Sequence, residues 1–506
     1  MRILSLVLAW LLLALPAEGQ QGGEVTGDSA LAAGRAGAGN ALADSLLDGV
    51  RNPAALSFRF RQQGWKARNE ILEAHGRVLW QPLSGESAAG LAFRDENDLT
   101  GGPWLSWGKA LSSNAFFSVS FVPAAAASAA FDRDTILNLK LDTDHENSNG
   151  QPVFDVPIHH EIGVRNELMS LGLEPHFSWR PTRSLSLGIG ASLRGTLLDM
   201  GSATDTPIAN LQGELFGLGG STWGEILNQL LTQVFDAGLR PDIPDTFQVD
   251  YSAEASAPLH AFLKGGALWQ PSREWRVGAW ARSPSTRSAL EGTAMVDFGA
   301  DLGFMLDAMR DMGMIPSDFL EDPTSSFDLS IPGVQFPGQL GFSAVRFLPK
   351  RRERIMADIV WTGWGSAFQG WVATLSNPSN EDLGSMLGGD GSTTLDLDLN
   401  WRDTLSLSMA WEKDLTSLHT FRTGVGWSQN PVGGSPLPGL VPFNRLHFGL
   451  GFSRWGKADG GDWHFSFVAA LPETWTTGSN AVLSDFSGDR YSQADYALVV
   501  GWSRAW

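Results

Sequence analysis

The sequence predicts an all-β protein, a transmembrane antiparallel β-barrel. Three observations carry that expectation. Long stretches alternate apolar and polar residues with period two. Beyond the first residues, no continuous apolar run is long enough for a helix to cross a bilayer. The 43% hydrophobic content of the 506 residues is spread evenly, with 58 Gly and 21 Trp that are unusual for a soluble core. Strands with one apolar and one polar face spread hydrophobicity in this way.

The alternation is explicit along the chain. Leu185, Leu187, Ile189, Ala191 and Leu193 alternate with Ser184, Ser186, Gly188, Gly190, Ser192 and Arg194. Leu395, Leu397, Leu399 and Trp401, then Leu405, Leu407, Met409 and Trp411, form another apolar row. Asp396, Asp398, Asn400, Arg402, Thr404, Ser406 and Ser408 lie opposite. Asp403 breaks the apolar row, as a bulge or a position above the membrane edge would allow. Leu446, Phe448, Leu450 and Phe452 repeat the pattern against Arg445, His447, Gly449 and Gly451. The last strand carries Tyr496, Leu498, Val500, Trp502 and the terminal Trp506 on one face. Period two over such lengths means strand, not helix.

Strand-like segments fall near 65–81, 86–94, 103–110, 115–123, 166–180, 184–199, 252–270 and 273–298. Others fall near 327–348, 352–372, 395–413, 417–428, 441–456, 461–474 and 489–506. Two of the first four are readable as halves of one hairpin. Short polar joints such as Pro181-Thr182-Arg183 and Pro271-Ser272-Arg273 suit periplasmic turns.

The N-terminus divides in two. Residues 1–19 read as a signal peptide: Arg2, an apolar run from Ile3 to Leu15, then Ala17-Glu18-Gly19. Residues 20–56 are compliant, with Gly and Ala dominating Ala30 to Ala43 around Arg35 and Asn40. Such residues bury little area against their ordering cost, so the segment builds no core of its own. Asn52-Pro53-Ala54 gives it a rigid exit, because Pro53 fixes its own φ and restricts Asn52. A compliant segment ahead of a strand array has the character of a plug, leaving 57–506 as the barrel.

Composition narrows the function. A formal charge of −19 opposes nucleic-acid binding. With no Cys, there is neither a disulfide framework nor a thiolate metal site. Asp142-x-Asp144-x-Glu146 has Asn147 where a calcium loop needs its tight-turn Gly. His159-His160-Glu161 lacks zinc-helix spacing. No Gly-x-Ser-x-Gly elbow or phosphate loop occurs, and no motif pairs His447 or His464 with a nucleophile. No cofactor is expected, and the chain reads as a non-enzyme.

Three insertions do not alternate: Asp142 to Arg165, Gly201 to Val249 and a stretch near residue 305. The second holds Trp223, Ile226, Leu227, Leu230, Leu231 and Val234 at helical spacing. The third holds Phe304, Met305, Ala308, Met309 and Met312. These stripes have two readings: packing on the barrel mouth, or an external apolar landing site. The charged residues Arg194, Arg276, Arg282, Asp358, Asp396, Asp398, Arg402, Arg422 and Arg445 fall on polar faces. They read as a lumenal network that stabilises the wall and docks the plug, with pairing to a ligand carboxylate as the alternative.

Several stretches resemble one family. GRAGAGNALAD followed by RNPAAL is similar to the N-terminal hatch of the long-chain fatty acid transporter family of Gram-negative outer membranes (FadL/TodX-like hydrophobic-compound channels). Residues 337–364 resemble that family's strand pair with Asp358, then Trp361-x-x-Trp364. Residues 400–431 resemble its block of Trp401-Arg402-Asp403-Thr404 with Arg422-x-Gly424. The resemblance implies a 14-stranded monomeric barrel in the outer membrane, a lumenal hatch holding Asn52, Pro53 and Ala54, and short helices in extracellular loops. It implies partners too: a long-chain fatty acid or other hydrophobic small molecule, outer-membrane lipid, and the barrel assembly machinery that reads a terminal aromatic. It places Trp223, Ile226, Leu227, Leu230, Leu231, Phe304, Met305 and Met309 at the ligand. The implied function is passive, hatch-gated transport. The alternatives are an outer-membrane barrel enzyme acting on lipids, which needs a nucleophile set, and a general porin, which needs no hatch.

Overall fold

A computed structural model describes residues 27–58, 70–87, 90–95, 99–138, 157–207, 246–297, 307, 310–311, 313, 315–317, 322–382, 392–398, 400–431, 446–456, 461–477 and 488–506. Their strands form one antiparallel sheet that closes on itself, a barrel of 14 strands. Strand β1 runs Glu70–Trp80 and resumes at Leu83–Glu86; β2 is Ala92–Asp95 with Leu99–Ala110. Then come β3 (Ala115–Asn138), β4 (Pro157–Trp179), β5 (Leu185–Pro207) and β6 (Thr246–Trp269). Next are β7 (Trp275–Arg282 and Ser288–Asp297) and β8 (Thr324–Val334 and Gln339–Leu348). They are followed by β9 (Glu353–Thr362 and Gly370–Ser376) and β10 (Thr393–Asp398 and Thr404–Asp414). The last four are β11 (His419–Ser428), β12 (Leu446–Arg454), β13 (Asp462–Thr476) and β14 (Arg490–Ala505). Closure comes from β14 pairing with β1, from Ile71↔Ala505 to Trp80↔Tyr496. Closure matters because hydrocarbon offers no partner to an open strand edge.

Apolar and polar faces sort as the alternation requires. Ile189 (65% exposed), Leu263 (72%) and Phe342 (60%) point outward, whereas Ser186, Ser192, Arg194 and His447 are buried inside. Trp179, Trp269, Trp275, Trp463 and Trp506 are exposed at the short-turn end and form an aromatic belt there. Glu70 and Trp506 exchange backbone hydrogen bonds at this same end.

The strands differ from the expected segments in three ways. No separate strand spans 86–94: Leu83–Glu86 prolongs β1 and Ala92–Asp95 prolongs β2. Strands β3 to β6 run beyond their expected bounds: β3 continues to Asn138, whereas β4 starting at Pro157, β5 ending at Pro207 and β6 starting at Thr246 enter the expected polar insertions. Beyond the hydrocarbon neither face must be apolar, so alternation fades while the ladder continues. Four neighbouring strands, β7 to β10, are interrupted at 283–287, 335–338, 363–369 and 400–403. Pro284 and Pro337 lack the N–H a ladder needs. Residues Trp364–Ala367 make one short helical turn, α3, and Asn400 has a positive φ of 47°.

These interruptions correct two placements. Trp401 does not continue the outward row; it turns inward and is 8% exposed. Arg402 is exposed and outside any strand, so strand parity does not place it among the buried lumenal charges. Asp403 leaves the ladder to accept a hydrogen bond from the Gly365 N–H at 2.9 Å.

Residues 27–58 lie within the barrel and are almost wholly buried. They contain helical turns α1 (Ala30–Ala33) and α2 (Asp48–Arg51), then a 3-10 turn over Pro53–Ala55. Ser29 caps α1 by accepting from the Ala32 N–H, and Asn52 caps the 3-10 turn by accepting from the Ala54 N–H. Pro53 sits at the first position of its turn, where its missing N–H costs nothing.

Candidate functional site

The lumen has two layers. Nearer the short turns, the wall grips residues 27–58. Toward the other end lies an aromatic cluster.

The grip starts with absent side chains. A Cβ on Gly424 would stand 2.3 Å from the Arg35 carbonyl oxygen, and one on Gly449 2.4 Å from that of Ala33. On the far wall, a Cβ on Gly188 would stand 2.3 Å from the Ala54 nitrogen, and one on Gly266 2.1 Å from Asn52 Oδ1. The inward positions of β5, β6, β11 and β12 are therefore glycine where the segment's backbone presses on the wall.

Polar side chains then satisfy the backbone that no ladder serves. Asp358 accepts from the N–H groups of Gly39 (3.1 Å) and Asn40 (3.0 Å), and Ser343 Oγ donates to its other oxygen. Glu73 accepts from Ser45 Oγ at 2.8 Å and the Leu46 N–H at 2.7 Å. Lys264 donates to the Val50 carbonyl at 2.6 Å and to Glu174 at 2.5 Å. Arg276 donates to the carbonyls of Ala41 (3.3 Å) and Leu42 (2.5 Å). Ser186 donates to the Ala54 carbonyl at 2.7 Å, and His75 accepts from the Ala30 N–H at 3.1 Å.

One ion-pair network crosses from segment to wall. Arg35, 1% exposed, makes a two-pronged bond to Asp44 and also reaches Glu412 with Nε at 2.8 Å. Glu412 in turn pairs with Arg422 at 3.1 Å and Arg354 at 2.7 Å. Burial opposes the Asp44 charge, but the adjacent Arg35 guanidinium outweighs it and holds the carboxyl below the usual range. Asp48 differs. Burial first, then the Asp44 charge, push its carboxyl up to about 7, although it accepts from the N–H groups of Asp44 and Ser45.

Of the charges expected in the lumen, Arg194, Arg276, Arg282, Asp358 and Arg422 are there and buried. The side chains of Asp396 and Asp398, and all of Arg445, lie outside the described residues. Asn52, Pro53 and Ala54 occupy the seat formed by Gly188, Gly266, Ser178 and Ser186. Trp223, Ile226, Leu227, Leu230, Leu231, Phe304, Met305 and Met309 all lie outside the described residues.

The second layer is an apolar cluster that includes Phe262, Phe336, Trp364, Phe368, Trp371 and Trp401. Phe368 stacks on Trp401 with centroids 4.8 Å apart, and Trp364 meets Trp401 edge-on at 4.9 Å. The cluster depends on the strand interruptions. Trp364 keeps the inward parity of Val360 and Thr362, opposite the outward Trp361 of the same Trp-x-x-Trp motif, and lies in the helical turn. Period two places Phe262 and Trp364 inward but misassigns Trp401; Pro284, Pro337 and the out-of-phase Asp403 are the sequence traces of the interruptions.

Two hydroxyl–imidazole contacts occur among the described residues: Thr416 Oγ1 lies 3.0 Å from His419 Nδ1 in an exposed turn, and Ser453 Oγ lies 2.6 Å from His464 Nδ1. Ser453 is fully buried and also accepts a bond from Arg422 Nη1 at 2.7 Å, so it belongs to the packed wall.

The family model described as outer membrane protein transport protein (OMPP1/FadL/TodX) matches residues 14–453. Among solved structures, a FadL homologue of Pseudomonas aeruginosa aligns with a TM-score of 0.64 at 14% identity, covering 96% of this chain and 99% of that one. The toluene transporter TodX of P. putida aligns at 0.62 and 15%, covering 95% and 99%. The toluene transporter TbuX of Ralstonia pickettii aligns at 0.60 and 15%, also covering 95% and 99%. No curated protein matches the chain. At these identities the solved structures establish the fold: a barrel with relatives in the outer membrane.

Proposed function

Because the chain belongs to the OMPP1/FadL/TodX family of outer-membrane transport proteins, we propose that it passes long-chain fatty acids or related hydrocarbons by passive diffusion past an N-terminal hatch. The observation that carries this reading is the seating of residues 27–58. They fill the lumen, yet no ladder ties them to the wall; glycine contacts, side-chain hydrogen bonds and the Arg35 pairs hold them. A segment held this way can shift without unzipping the barrel. A filled lumen also disfavours a general porin.

The apolar layer of Phe336, Trp364, Phe368 and Trp401 fits a ligand made of CH₂ groups or aromatic rings, each CH₂ being worth about 0.8 kcal/mol when buried. Trp223, Ile226, Leu227, Leu230 and Leu231, with Phe304, Met305 and Met309, supply the external capture surface in this reading. Toluene is the compound named for TodX and TbuX, and it belongs to the same apolar class. The terminal Trp506 serves recognition by the barrel assembly machinery.

The test is deletion of Gly27 to Ala43 with every strand retained. Single-channel conductance in planar bilayers rises if the segment is a plug. Unchanged conductance from a folded barrel removes the hatch from the mechanism.

A further inference from the structure

Among the described residues, no carboxylate is hydrogen-bonded to Arg276. It is 2% exposed, and among the described residues it makes no ion pair. Its Nη1 serves the Ala41 and Leu42 carbonyls, Nη2 reaches Gln270 Oε1 at 3.4 Å, and Nε has no hydrogen-bond partner. Phe58 and Phe347 cover the guanidinium on its faces, at 4.8 and 5.2 Å from the ring centroids. Its hydrogen bonds go to neutral carbonyl oxygens, so aromatic faces and the more distant Asp44 carboxylate meet its charge in place of a bonded acid.

Arg276 lines a cavity of about 320 Å³ at the short-turn mouth of the lumen. Phe347, Leu348 and Pro349 form its apolar side. The charges around it do not balance. Asp414 is paired with Arg354 at 2.7 Å, and Glu353 with Lys413 at 3.1 Å. Among the described residues, Arg273, Arg276 and Arg352 then make no ion pair with an acid of this cavity. The connecting segment 59–69 cannot supply one, because its sequence holds Arg59, Arg61, Lys66 and Arg68 and no acid.

We propose that this mouth is a binding site for the carboxylate of an amphiphile arriving from the periplasmic side, with Arg276 as its anchor. The carboxylate takes the fork of Arg276 by charge-assisted bonds, which are stronger than those to neutral carbonyls. Arg273 and Arg352 at the rim attract it, and the first carbons of its tail lie along Phe347 and Leu348. Since Arg276 also holds Ala41 and Leu42, occupation of the site competes with seating of the plug. An anion below thereby loosens the segment above. The inference rests on the placement of residues 39–46 and not on which compound the protein carries.

The experiment is hydrogen exchange on the full-length protein in nanodiscs, read at residues 39–46. The probes are sodium octanoate, 1-octanol and sodium phosphate. Octanoate speeds exchange saturably, whereas octanol and phosphate at equal concentration do not. In Arg276→Gln, exchange is faster from the start and the half-effect concentration of octanoate rises about tenfold or more. The double variant Arg273→Gln/Arg352→Gln raises that concentration about threefold, a difference that disappears in high salt. The proposal is overturned if octanol or phosphate matches octanoate, or if both variants respond to octanoate as the parent does. Because the rim residues are exposed, the double variant remains informative even if Arg276→Gln fails to assemble.

Discussion

At the residue scale, the lumen replaces a hydrophobic core with compensated charge and missing side chains. Glu73, Asp358, Lys264 and Arg276 each meet backbone groups of a segment that has no ladder of its own. Gly449→Val tests the steric half. Its Cβ would sit 2.4 Å from the Ala33 carbonyl, so the segment must shift. Overpacking costs about 1–3 kcal/mol. Exchange at residues 30–37 then accelerates while the heat-modifiable barrel band is retained; unchanged exchange would show the contact to be slack. Asp48 tests the electrostatic half. Its carboxyl is raised in the folded state, so the folded form holds its proton more tightly than the unfolded one. The resulting stabilisation is full below the ordinary carboxylate range and is lost as pH rises through about 7. Exchange at residues 44–50, corrected for its intrinsic pH dependence, should therefore be slower at pH 5.5 than at pH 8.5. Asp48→Asn keeps an acceptor for the Asp44 and Ser45 amides and should flatten that difference; a persisting difference would assign it to another group.

At the element scale, the interruptions of β7 to β10 are the departure from a regular barrel. They set Trp401 against the inward Trp364 and build the aromatic layer on the other side of residues 27–58 from the short turns. The stripe from Trp223 to Leu231 belongs to the same scale. If it captures ligand, replacing Leu227 and Leu230 together by Ser weakens uptake at low ligand concentration and spares it at saturation. Thermal stability should stay nearly constant, because an exposed groove contributes little to folding. Collapse of stability would instead mark ordinary loop packing.

At the scale of the whole molecule, the barrel is inverted relative to a soluble protein, with Leu263 and Phe342 outside and Glu174, Arg194 and Lys264 within. Its lumen is occupied, so flow depends on what can displace or slip past the occupant. The expected outcome in cells is selective. A deletion strain offered fatty acids, alkanes or toluene at limiting concentration should grow more slowly than its complemented parent, while growth on a small sugar is equal. Equal loss on the sugar would indicate general porin activity.

The amino-acid pattern by itself determined the barrel, its outward face and the compliant N-terminal segment. Each is a local consequence: period two sorts the faces of Leu185–Leu193 and Leu446–Phe452, and Gly/Ala content denies residues 30–43 a core. It also placed Arg194, Arg276, Asp358 and Arg422 correctly, since their parity settles which face they occupy. Only the tertiary structure decided their partners. Arg35 meets Glu412 across 377 residues, and no local spacing encodes such a meeting. The roles of Gly188, Gly266, Gly424 and Gly449 were hidden for the same reason: a missing side chain signals nothing until the backbone that needs the space is in view. Trp401 was misplaced because parity holds only while the ladder continues, and the chain leaves it between Asp398 and Thr404.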